Sequence, residues 1–85
     1  MVRDINKFFP YYLGFVEKYV IGELCNRYGL EPFDALQRFL NSKTYQMVCD
    51  KDLAMWEFSH PAILSMWECE QVTGDPRNSI YIRGE

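Results

Sequence analysis

The chain has 85 residues, a formal net charge of −3 and three cysteines. A chain of this length makes one domain and buries about 60–65 % of its unfolded surface. No apolar run reaches the roughly 18 residues of a membrane span, and the nine basic residues are scattered with no two adjacent.

Phosphate neutralisation needs a basic stripe, so the charge pattern argues against a nucleic-acid-binding domain acting alone. The stretch nearest to a membrane span, Tyr11 to Cys25, is interrupted by Glu17, Lys18 and Glu23. Two Trp, six Tyr and six Phe are a heavy apolar load for so small a body. Part of that load is expected to be covered by another subunit or a partner. The expected partner is therefore a protein or a second copy of the chain, with a dimer as the simplest case. Cys25, Cys49 and Cys69 are odd in number, and Met1 to Lys7 lack a basic-then-apolar signal pattern. Both features point to reduced thiols in the cytoplasm.

Residues 1–9 read as a polar lead-in that could stay flexible. Pro10 suits the first position of a helix, and the pattern predicts one from about 10 to 28. Tyr12, Phe15, Val16, Tyr19, Val20, Leu24 and Tyr28 mark its buried face. A second stripe, Gly14, Lys18, Gly22 and Asn26, recurs every four residues. It faces either solvent or another helix at close range, because two interior glycines each cost about 1 kcal/mol relative to Ala.

Gly29 predicts a left-handed cap. Pro32 opens a short amphipathic helix over 32–41, with Phe33, Leu36, Phe39 and Leu40 on one face and Asp34 placed for the dipole. Ser42 or Thr44 caps a third segment over about 43–50, with Tyr45, Val48 and Cys49 inward. Asp50-Lys51-Asp52 is a polar break. Residues 53–58 alternate with period two, but a lone strand has no partner except Ile80-Tyr81-Ile82. They are read as helix or extended linker.

The clearest start signal in the chain is Ser59, a good cap, with Pro61 in the first turn after it. No Gly or Pro follows until Gly74, so a helix is predicted over 60–73. Ile63, Met66 and Trp67 form its stripe, and Glu70 breaks it. Phe58 stands where a hydrophobic staple would. Trp56, Phe58, Trp67, Tyr19 and Phe39 are the predicted core anchors, since each aromatic can bury on the order of 200 Å². Residues 74–79 carry turn chemistry at nearly every position, and the tail over 75–85 either folds back or stays flexible. The fold expected is all-α: three to four short helices in a small orthogonal bundle with an irregular or short extended C-terminal tail.

The residues that could carry chemistry are few. A Cys–His dyad would need His60. Cys69 lies two and a half helical turns away, roughly 13 Å along the axis, which excludes direct proton transfer; Cys49 stays open. Cys25, Cys49, Cys69 and His60 are zinc-ligand types but lack paired ligands at short spacing. No metal and no other cofactor is therefore expected. Asp50, Asp52, Glu57, Glu68 and Glu70 read as solvated surface. Arg77, Asn78 and Ser79 could present a guanidinium, an amide and a hydroxyl to an anion. That string has one glycine and no Lys-Ser/Thr before a helix, so it is no phosphate loop. It reads first as a turn that docks the tail, and it is the expected partner contact. Residues 32–50 could also form a helix-turn-helix, offering Lys43, Thr44 and Gln46 to a groove.

Asn41-Ser42-Lys43-Thr44-Tyr45, then Leu53, Trp56 and Ser59, then Met66-Trp67 and Glu70, then Gly74-Asp75-Pro76-Arg77-Asn78-Ser79 carry a resemblance over residues 15–83. The chain resembles a group of small bacterial proteins, mainly from gut Firmicutes and Actinobacteria, whose domain has no assigned function. The resemblance implies a bacterial cytoplasmic protein encoded in a short gene cluster with other small domains, some linked to toxin–antitoxin roles. It brings no catalytic residue. The function expected is a non-enzymatic protein-interaction or regulatory module. The alternative is a small helix-turn-helix-like DNA-binding regulator using 32–50, and after that a cysteine-dependent enzyme.

Overall fold

The computed structural model describes residues 5–79, in which four α-helices enclose one core. They are α1 (Ile5–Tyr28), α2 (Pro32–Leu40), α3 (Lys43–Cys49) and α4 (His60–Thr73). Single turns of 3-10 helix occupy Lys51–Leu53, Met55–Glu57 and Pro76–Asn78. No strand occurs among the described residues. The fold is all-α, as the composition and periodicity predict. Ile80-Tyr81-Ile82, the candidate extended tail, lies outside the described residues.

α4 is the helix its local signals specify. The Ser59 hydroxyl accepts the Ala62 N–H at 3.2 Å. Gly74 takes φ 84° and donates its N–H to the Glu70 carbonyl at 2.8 Å. Its buried arc is wider than the predicted stripe, covering Ala62, Ile63, Leu64, Met66 and Trp67. The reason is position: α4 packs against α1, α3 and the 76–78 turn at once.

α1 corrects the sequence reading at its start. Helix begins by Ile5, so residues 5–9 are not a lead-in and Pro10 stands inside the helix. Proline has no N–H, so one turn loses its bond to the Asn6 carbonyl. Docking of this turn offsets the loss. Phe9 is buried, with its ring 6.1 Å from Trp56 edge to face. Lys51 Nζ lies 5.2 Å from the centre of the Phe9 ring and donates to Asn6 Oδ1. The core face of α1 is Phe9, Tyr12, Val16, Val20 and Leu24. Phe15 and Tyr28, expected inside, are 60 % and 51 % exposed.

Gly29 forms the predicted left-handed cap at φ 67°, and Glu31-Pro32 starts α2. α2 buries Ala35 and Phe39, whereas Phe33 points outward. The Ser42 hydroxyl caps α3 by accepting the Tyr45 N–H at 3.0 Å. α3 buries Thr44 and Val48, and Cys49 is exposed rather than inward. Residues 51–58 form two helical turns hinged at Ala54, whose φ of 50° is left-handed.

Of the five predicted anchors, Phe39 and Trp67 are buried. Trp56, Phe58 and Tyr19 pack half-buried against the core edge. The molecule measures 38 × 30 × 18 Å. The long dimension matches a 24-residue helix at about 36 Å, and the short one is about two helix layers. Each helix therefore has an outer side, and that of α1 is open along its length.

Candidate functional site

The turn after α4 is built by a chain of side-chain bonds. Asp75 Oδ1 accepts the Arg77 N–H at 2.9 Å and Arg77 Nε at 3.4 Å. The Arg77 N–H holds the Asp75 carboxyl below its ordinary range. Asn78 Nδ2 donates to Thr73 Oγ1 at 3.0 Å, and the same hydroxyl donates to the Cys69 carbonyl at 2.8 Å. Pro76 and Ser79 are buried, and the Ser79 and Ser65 hydroxyls lie 3.1 Å apart. The three candidate contact residues therefore point different ways. Ser79 faces inward, the exposed Asn78 holds the turn through its amide, and the Arg77 side chain is 72 % exposed.

Arg77 borders a groove of about 620 Å³ between this turn and α3. Lys43, Met47, Asp50, Leu53 and Asp75 also line it. Lys43 Nζ donates to the Gly74 carbonyl at 2.9 Å and ties α3 to the turn. Two cations and two carboxylates share the groove, so it carries no net attraction for phosphate. The segment that would serve as a recognition helix is occupied at its start. Glu70 accepts from Lys43 N (2.8 Å) and from Thr44 N (3.0 Å) and Oγ1 (2.8 Å), and Thr44 is fully buried.

The nucleophile and acid–base candidates are dispersed. His60 lies against Tyr19, with ring centres 5.6 Å apart. Cys25 and Cys69 are half-buried, Cys49 is exposed, and all three are free thiols. Among the described residues no three His, Cys, Asp or Glu side chains gather as a metal site would require. Beneath α3, two tyrosines are held neutral. Burial, with Cys49 nearby, pushes the Tyr12 phenol up to about 12. Burial and the 2.7 Å bond to Glu17 push Tyr45 up as well. The Tyr12 hydroxyl and Trp67 Nε1 are buried without a hydrogen-bond partner among the described residues. At the end of α1, Tyr28 and Arg27 both donate to Glu68, and Tyr28 stacks obliquely on Trp67 at 6.2 Å.

The third feature is apolar and exposed. Phe8, Tyr11 and Phe15 on α1 are 40, 66 and 60 % exposed. Gly14 and Gly22 lie on the same outer side, where an added Cβ meets nothing within 4 Å. No helix among the described residues approaches them, so within one copy of these residues the stripe faces outward. Residues 8, 11 and 15 form a second apolar stripe beside 9, 12 and 16. Reading Phe8 as lead-in and Phe15 as buried hid it; with the helix starting at Ile5, residues 8, 11 and 15 fall at helical spacing. No helix among the described residues is long and apolar enough to cross a membrane.

No protein-family model, curated protein or solved structure matches the chain. The resemblance to small bacterial proteins rests on its quoted motifs alone.

Proposed function

We propose that the protein is a non-enzymatic protein-interaction or regulatory module, acting as part of a homo-oligomer or a complex with another small protein in a bacterial cytoplasm. One observation carries the reading: the aromatic side chains of α1 lie on two sides of the helix, and among the described residues only one side is packed. Phe8, Tyr11 and Phe15 leave roughly 300–350 Å² of ring surface in water, taking about 200 Å² for each ring. A patch of that size on so small a domain is of the kind that often serves a contact, which supports the interaction reading. The mixed-charge groove beside Arg77 fits a peptide segment better than a phosphate ligand and would be a secondary contact.

Light scattering of the purified protein, alone and after co-purification, tests the proposal. The expected result is a mass above that of the 10.1 kDa chain, as a dimer or as a stoichiometric complex. A monodisperse monomer without a stoichiometric companion overturns it.

A further inference from the structure

We infer that the outer face of α1 is a self-complementary seam that pairs two copies of the chain antiparallel about a two-fold axis. The inference rests on the proposed interaction role and names the partner.

Phe8, Tyr11, Phe15, Lys18, Gly22 and Cys25 follow the alternating three- and four-residue spacing of a helix-pairing seam. Five of the six are exposed and Cys25 is half-buried. The aromatic residues occupy the first half of the seam and the small or slender ones the second. Antiparallel pairing centred between Val16 and Glu17 sets Tyr11 against Gly22, Phe15 against Lys18, and Phe8 against Cys25, each pair occurring twice. Every bulky ring then meets a position that leaves room for it.

The surface already holds the receiving shape. A shallow groove of about 410 Å³ runs over Gly22, bounded by Phe15, Tyr19, Glu23, Asn26 and His60. The Tyr11 ring of a second copy fits above Gly22, with polar groups at the groove edge for its hydroxyl. The seam carries one cation per copy, and the pairing brings the two near the two-fold axis, each against a ring. Lys18 is the one formal charge on the seam, and it falls over the face of the facing Phe15, a cation–π arrangement. The three rings of each copy, at about 200 Å² apiece, bury roughly 650 Å² in a pair, the size of a weak, transient contact. A weak, concentration-dependent dimer is the corresponding expectation.

Cysteine cross-linking reads the register directly. In a Cys49→Ser/Cys69→Ser background, Phe8→Cys places a thiol opposite Cys25 of the second copy. Mild oxidation is expected to give a disulfide-linked dimer, and Cys25→Ser removes it. Phe33→Cys, more exposed than Phe8 but on α2, gives none under the same conditions. Sedimentation equilibrium of the unmodified chain at about 100 μM shows the dimer. Gly22→Leu weakens it at least tenfold while circular dichroism keeps its helical signal, since Leu favours helix over Gly. A monomer at that concentration, or a dimer that ignores Gly22→Leu and fails to cross-link at Phe8, overturns the pairing. Binding of a different protein by a monomeric chain would overturn the pairing and leave the broader interaction reading standing.

Discussion

Glu70 on α4 closes the start of α3 through Thr44, with Oε1 accepting both the N–H (3.0 Å) and the hydroxyl (2.8 Å) of that residue. The second oxygen takes the Lys43 N–H at 2.8 Å. One carboxylate therefore satisfies two of the donors that a helix leaves open at its N-terminus, and it sits at the positive end of the dipole. Removing it strands the hydroxyl of a fully buried threonine. Glu70→Ala is expected to lower stability by about 2–3 kcal/mol, combining a lost cap with unsatisfied buried donors. Glu70→Gln, which keeps an acceptor, is expected to cost about 1 kcal/mol. Urea denaturation measures both. Thr44→Val should add less in the Glu70→Ala background than alone, because the two act as a pair.

Two phenylalanines on α2 differ in fate by one helical face. Phe39 is fully buried and touches the Tyr45 ring edge to face at 5.1 Å, whereas Phe33 is 66 % exposed. Phe39→Ala is expected to cost about 3–5 kcal/mol, a large part of the stability of so small a domain. Phe33→Ala is expected to stay within about 0.5 kcal/mol. Thermal melts of the two variants side by side test the packing of α2.

Ala54 and Gly74 both occupy left-handed backbone, at φ 50° and 84°. The Cβ of Ala54 costs about 1 kcal/mol in that region. Ala54→Gly should therefore raise stability by up to about 1 kcal/mol, less the added freedom of the unfolded chain. Gly74→Ala should lower it by about 1 kcal/mol. Opposite shifts in the denaturation midpoint are the expected readout.

Two tyrosines, Tyr12 under α3 and Tyr45 on it, are expected to limit the fold at alkaline pH. Tyr12 is pushed up to about 12 by burial, and burial with the Glu17 bond pushes Tyr45 up too. An unfolded tyrosine ionises near about 10. Below that pH both states hold the proton and the full stability is present. Above it the unfolded state alone gains charge, so stability falls as pH rises toward the folded values. The Glu68 bond raises Tyr28 as well, so tyrosinate absorbance should show late-titrating phenols, of which the buried Tyr12 and Tyr45 ionise together with loss of circular dichroism. Tyr12→Phe with Tyr45→Phe should remove that late step. Early, unlinked titration of all the tyrosines would contradict the buried placement.

The sequence by itself determined the helical class, the span of α4 and the left-handed caps at Gly29 and Gly74. These signals are local: a hydroxyl, a proline or a glycine acts on backbone within one turn, so its effect is complete before any packing occurs. Phe39 and Trp67 were legible as core for a similar reason, since large apolar groups on amphipathic segments gain most by burial. The tertiary structure decided the rest. α1 extends past Pro10 because Trp56 and Lys51, more than forty residues later in the chain, hold Phe9. Phe15, Tyr28 and Phe33 stay outside because the bundle is two layers thick and each helix can bury only one side. Glu70 read as a flaw in a stripe because its partners, Lys43 and Thr44, lie 27 and 26 residues away. Arg77 and Asn78 point apart because a 3-10 turn rotates each residue by about a third of a circle, and Ser79 leaves the turn in extended backbone with its side chain buried. A carboxylate or an aromatic ring has the same local signature on a core face or an outer one, and only the element packed against it decides which.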